Sequence, residues 1–92
     1  MRLIEKKMIA AIEQGRDFTL NNTHVKIDAN TAHVFLFGNH IASVVNGKPI
    51  VNIETLRAYN TVTTKSRLRA LGVDVYTKNF ITYINGEVIW LI

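Results

Sequence analysis

Three histidines, His24, His33 and His40, and two serines, Ser43 and Ser66, are the side chains of this 92-residue sequence most able to hold a metal or attack a substrate. Neutral imidazole is a common transition-metal ligand. The rings are nine and seven residues apart, however, which matches no helical or short-loop ligand motif, and the turns between them place His33 and His40 toward different ends of one strand pair. There is no cysteine and no carboxylate at ligand-like spacing, so neither a metal nor another cofactor is expected. Neither serine lies in a Gly-x-Ser-x-Gly elbow, and Ser66 reads as a surface residue near a helix start. Five of the seven acidic residues fall in turns or on a solvated helix, which leaves no carboxylate pair for acid–base hydrolysis. The five glycines are isolated and form no phosphate loop. No catalytic residues are assigned, and the chain is read as non-enzymatic.

Charge points to a different kind of chemistry. The net charge is +4, and it is uneven: residues 1–55 hold six basic and five acidic side chains, residues 56–92 five and two. Lys65, Arg67 and Arg69, joined by Arg57 and Lys78, form the expected basic surface, with Tyr59, Tyr76 and Tyr83 available to stack on bases. Such a surface grips phosphate without reading sequence. In the competing reading, Arg67 caps carbonyls or bridges to Asp74 and the other cations are merely solvated.

The elements that carry these residues follow from periodicity. Ile4, Met8 and Ile12 recur every four residues before Gly15, which predicts an amphipathic helix ending near Gln14, with Glu5, Lys6, Lys7 and Glu13 on its solvated face. From Phe18 the period changes to two. Turn signals at 28–31, Gly38-Asn39 and Asn46-Gly47 predict three or four antiparallel strands in a meander. A strand through Ile50, Val51 and Ile53 belongs at an edge, because Pro49 has no N–H to donate. A short second helix is expected after Thr63 or Thr64, stopping at Gly72. With Leu68 and Leu71 turned inward, Lys65 and Arg69 lie together on its outer side. Asn85-Gly86 then joins the run 80–84 to the run 88–92 in a C-terminal hairpin. The expected class is α+β: a helix, an antiparallel meander, a short helix and a hairpin, with a single sheet covered by helix on one face, in one domain over residues 1–92.

Composition agrees with a folded domain: 48% of residues are hydrophobic and 20% charged. A chain of this size buries roughly 60 to 65% of the surface its unfolded form exposes, so packing has to supply the stability. No apolar run approaches the ~20 residues of a membrane span, and the start of the chain lacks a signal-peptide core. A soluble protein with no membrane partner is expected.

Several segments resemble a family of small tailed-phage proteins. Gly15-Arg16-Asp17-Phe18 with Asn22-Thr23-His24-Val25 looks like its opening strand, and Val34 through Ala42 like its central pattern V-x-L-H-G-N-x-I-A. Thr63-Thr64-Lys65-Ser66-Arg67-Leu68 resembles the signature T-T-[KR]-S-R-L-N, and Lys78-Asn79-Phe80 with Tyr83 resembles K-x-F-x-x-[FY]. Phe37 and Arg69 depart from the His and Asn of those patterns. The resemblance implies a phage origin and action in the host-cell cytoplasm, and it brings no catalytic residues. Small phage proteins often bind and redirect or disable host machinery. The expected function is therefore binding of a host or defence protein or nucleoprotein through the basic helix, the alternative being direct nucleic-acid binding. A homodimer through an edge strand, or through Trp90 and Ile92, would be an inexpensive way to bury more surface.

Overall fold

The four-residue apolar recurrence forms helix α1 (Leu3–Gln14), which buries Met8 and Ala11 and ends at Gly15 in the left-handed region (φ 66°). In the computed structural model, which describes residues 1–90, five antiparallel strands follow in sequence order: β1 (Phe18–Leu20), β2 (Thr23–Asp28), β3 (Thr31–Leu36), β4 (Asn39–Val45) and β5 (Lys48–Val51). Helices α2 (Ile53–Ala58) and α3 (Val62–Ala70) come next. A second sheet of three strands closes the chain: β6 (Val75–Lys78), β7 (Ile81–Ile84) and β8 (Glu87–Ile89).

The class is α+β, as the sequence indicates, and the strands divide between two sheets. Alternation in β2 and β3 sends Val25, Ala32, Val34 and Leu36 to one face, where Met8 of α1, Leu56 of α2 and Leu68 of α3 meet them. The same cluster continues through Val73, Val75 and Ile84, so both sheets share one core. The other face of the large sheet carries His24, Lys26, His33 and Phe35 on β2 and β3.

Local differences from the sequence reading have local causes. The meander gains β1, which pairs with β2 through the tight turn at Asn21 and Asn22. Pro49 does lie in an edge strand, β5, but Ile53 leaves that strand and opens α2. The reason is Asn52, whose Oδ1 accepts the N–H of Thr55 at 3.2 Å and caps a helix. The α3 cap is Thr61, not Thr63 or Thr64: its Oγ1 accepts the N–H of Thr64 at 3.1 Å. Leu68 is fully buried and Leu71 partly so. The final hairpin acquires a third strand, because Val75 through Lys78 pairs with β7. Trp90 is 67% exposed, and Leu91 and Ile92 lie outside the described residues.

Four of the hairpin tips share one backbone, with positive φ at both central residues. Asn46-Gly47 and Asn85-Gly86 have positive φ at both residues, the turn for which Asn-Gly is the preferred pair. Phe37-Gly38 and Asn79-Phe80 adopt the same backbone, with Phe37 at φ 51° and Phe80 at φ 65°. A phenylalanine held there costs on the order of 1 kcal/mol, because its Cβ crowds the neighbouring carbonyl. Both rings are largely exposed, 74% for Phe37 and 99% for Phe80, so little burial offsets that cost. Phe37→Asn and Phe80→Gly convert both tips to Asn-Gly. Each should stabilise the fold by about 1 kcal/mol, which calorimetry would register as a Tm increase of about 4–8 °C.

Candidate binding surface

Beneath the surface lies a buried ion pair. Arg67 Nη1 donates to Glu5 Oε2 at 2.7 Å, and both side chains are only 3% exposed. Ser66 Oγ donates to the same oxygen at 2.6 Å, and the Arg2 backbone N–H reaches Oε1 at 3.3 Å. The rest of the guanidinium is also occupied, Nε by Thr23 Oγ1 at 3.0 Å and Nη2 by Asn22 Oδ1 at 3.3 Å. Arg67 is thus not part of a basic surface, and Glu5 does not belong to a solvated face. A helix with Leu68 inward also turns position 67 toward α1, and a buried guanidinium needs an anion and hydrogen-bond acceptors. The partner is Glu5, 62 residues away, rather than Asp74. Burial alone would raise the Glu5 pKa. Hydrogen bonds from Ser66, Arg67 and Arg2, together with the guanidinium charge, outweigh it and hold the carboxyl below its ordinary value of 4.5.

This network fixes a groove. Asn22, gripped by Arg67 through its side chain, accepts the Phe37 N–H on its own carbonyl at 2.8 Å. The β3–β4 tip is thereby held beside the α2–α3 junction. Between them is a depression of about 380 Å³, floored by Leu36 and Ile41, rimmed by Phe37 and Tyr59, with Thr55 and Thr63 supplying hydroxyls. Its volume is that of a small-ligand or side-chain pocket, roughly 300–1,000 Å³. Tyr59, one of the expected stacking residues, is 49% exposed here.

The remaining cations lie beside the small sheet. Lys65 Nζ donates to Thr77 Oγ1 at 2.8 Å, and Arg69 Nη1 to the Val75 carbonyl at 3.0 Å, so both reach β6. Lys78 is exposed on β6 itself. Arg57 stands apart, its Nε donating to the Trp90 carbonyl at 2.9 Å. Among the described residues all of these partners are neutral, so they orient the cations without forming ion pairs. Tyr76 and Tyr83 stack on one another across β6 and β7, with centroids 5.0 Å apart and planes within 14°.

A third feature was hidden from sequence spacing. The β3–β4 register shifts between Val34 and Phe35, so that Val34 faces Ala42 while Phe35 faces His40. Ile41 is the extra residue, and Ile41 and Ala42 are both buried. Without this bulge, positions 40 and 43 would point to opposite faces. With it, His40 Nε2 and His33 Nδ1 converge on Ser43 Oγ at 2.8 and 2.9 Å, and the two rings lie 5.6 Å apart. His33 and His40 are therefore neighbours, not at different ends of the strand pair. Asn52 Nδ2 completes the chain at 3.1 Å from His40 Nδ1. Burial, with the charge of His33, lowers the His40 pKa below its ordinary 6.5, opposed in part by the Ala42 backbone. No group of three or more His, Cys, Asp or Glu residues suited to a metal occurs among the described residues. Nor is any helix long and apolar enough to cross a membrane.

Fold and surface together describe a small α+β protein whose notable features are a groove, oriented cations, exposed aromatics and two imidazoles converging on Ser43. The family model described as Kyanoviridae Gp96 protein matches residues 1–90, and the chain belongs to that family of tailed-phage proteins, as the expected phage origin implies. No curated protein and no solved structure matches it.

Breaking the buried pair should be costly. Arg67→Met strands the Glu5 carboxylate and should lose about 3–5 kcal/mol in urea unfolding, whereas Glu5→Leu/Arg67→Met together should recover most of that loss. Because the folded Glu5 pKa is depressed, its contribution is complete above pH 4.5 and is lost as pH falls through the folded value. The acid sensitivity that Glu5 contributes should be missing from the double variant.

Proposed function

We propose that this phage protein works without catalysis, by binding a host or defence macromolecule in the host-cell cytoplasm. The contact surface in this reading is the aromatic-rimmed groove, with Lys65, Arg69 and Lys78 adding attraction for an acidic partner. The observation that carries it is the pair of exposed phenylalanines. The chain uses Asn-Gly at two hairpin tips and places Phe37 and Phe80 at the equivalent strained positions of two others, where neither ring packs in the core. Strain without a packing benefit is the signature of a residue kept for contact. Positive charge that meets only hydroxyls and carbonyls supports steering of an anionic partner.

Direct nucleic-acid binding is the second reading, favoured by the Tyr76–Tyr83 plate with Lys78 two residues along the same strand. Phosphate would be met by Lys65, Arg69 and Lys78, without Arg67. Because Tyr76 and Tyr83 already cover one face of each other, a base could stack only on the outer face of either ring.

One set of variants separates the two. Under the first reading, Phe37→Asn/Phe80→Gly is more stable than the parent yet loses the partner that the parent retains in affinity purification from infected cells. Lys65→Ala/Arg69→Ala weakens the same capture in a salt-dependent way. Under the second reading, single-stranded DNA or RNA is retained at about 50 mM salt and released at about 200 mM. Lys65→Ala/Arg69→Ala then abolishes retention, and the turn variants do not alter it. A Phe37→Asn/Phe80→Gly protein that still captures the partner at parental levels overturns the first reading.

A further inference from the structure

The polarity of the chain Thr55–Asn52–His40–Ser43–His33 is fixed atom by atom. Asn52 Oδ1 is occupied by the Thr55 N–H, so the amide nitrogen is the group that faces His40 Nδ1 and must donate to it. A nitrogen that accepts carries no proton, so the His40 proton resides on Nε2 and is donated to Ser43 Oγ. The single Ser43 proton is then left for His33 Nδ1, which puts the His33 proton on Nε2. Every member is satisfied only while His40 is neutral.

The two imidazoles respond differently to a proton. If His33 gains one on Nδ1, Ser43 can accept from both rings through its two lone pairs and turn its own hydrogen elsewhere. If His40 gains one on Nδ1, a donor faces the Asn52 amide donor. The amide must then rotate or withdraw, and either movement removes Oδ1 from the Thr55 N–H. The charged groups around His40 do not change this. On β3 the titratable neighbour is His33, with His24 of β2 beyond the Phe35 ring; Lys48 of β5 pairs with Val45 at the other end of β4, Glu54 of α2 is exposed and Arg57 is turned to the Trp90 carbonyl. Among the described residues none of these bonds to His40.

We propose that His40 is the sensor of a pH latch: as the neutral ring it holds Asn52 in place as the cap of α2, and on protonation it releases that helix. Helix α2 has only six residues, and Asn52 provides its side-chain cap. Asn52 is also tied to the bulge by its N–H to the Ile41 carbonyl at 2.9 Å, so the sensor and the helix start share one anchor. Thr55 lines the groove from α2, and Tyr59 lines it from the cap just beyond. Resting on the reading of that groove as the partner site, the latch would make capture weaken as pH falls, with the open sheet face as the proton entry.

Nitrogen-15 NMR of the full chain between pH 5 and 8 tests the latch without a partner. The expected result is a neutral His40 protonated on Nε2, titrating below the ordinary imidazole value of 6.5. The Thr55 amide signal and the exchange protection of α2, corrected for the intrinsic pH effect, should follow the His40 midpoint. Asn52→Asp provides the control. A carboxylate still caps Thr55 but accepts from His40 Nδ1–H, so the midpoint should rise by about one pH unit or more, at least tenfold in proton affinity, and α2 should stay protected in acid. A His40 that titrates at or above 6.5, or α2 protection indifferent to its protonation in the parent chain, overturns the proposal. If the NMR behaviour is as described but Phe37→Asn/Phe80→Gly leaves partner capture intact, the latch stands and the reading of the groove falls.

Discussion

The contact between Glu5 and Arg67 is the constraint around which the helical side of the molecule is organised. Helix α3 is a poor candidate for hydrophobic anchoring: of its apolar residues, Leu68 is fully buried while Val62 is largely exposed. What fastens it is an arginine whose Nε, Nη1 and Nη2 each reach a different acceptor, on α1, on β2 and in the β1–β2 turn. A buried pair of this kind is a weak source of net stability, since desolvation of both ions cancels much of their attraction. Its value lies in specificity. In the observed placement of α3 against α1 and β2 all three guanidinium nitrogens find acceptors, and the same bonds reach, through Asn22, the Phe37 turn.

The same demand explains the distribution of charge. A cluster of three cations on a nine-residue helix would repel itself if all three faced water. Turning Arg67 inward leaves only Lys65 and Arg69 on the outer side, both over the β6 strand, where Arg69 takes up an edge carbonyl. The helix protects a sheet edge with the side chains that an anionic partner would meet. The aromatics follow the opposite logic, since Phe37, Phe80 and Tyr59 contribute little to the core and occupy the tips and junctions of the fold.

Much of the architecture was legible because alternation and turn chemistry are local. Val25, Ile27, Val34 and Leu36 announce strands, and the Asn-Gly pairs mark two of the hairpins. Helix α2 was not legible, because six residues give too little periodicity and Asn52 reads equally well as a turn. The place of Phe80 at a turn tip contradicts its own preference for a strand. Spacing identified the cations individually but could not separate Arg67 from its neighbours, since its counterion lies at the far end of the chain. The His33–Ser43–His40 convergence depends on one inserted residue in β4, which shifts a two-residue period without a compositional trace.

That inserted residue bears on how the chain can change over time. Hairpin tips can lengthen with little effect on the rest of a sheet, so drift in length is tolerated there. Loss of a single codon between Asn39 and Ser43 would be a different event. It would straighten β4, carry His40 to the opposite face, draw Asn52 away from its anchor and leave Ser43 with one imidazole.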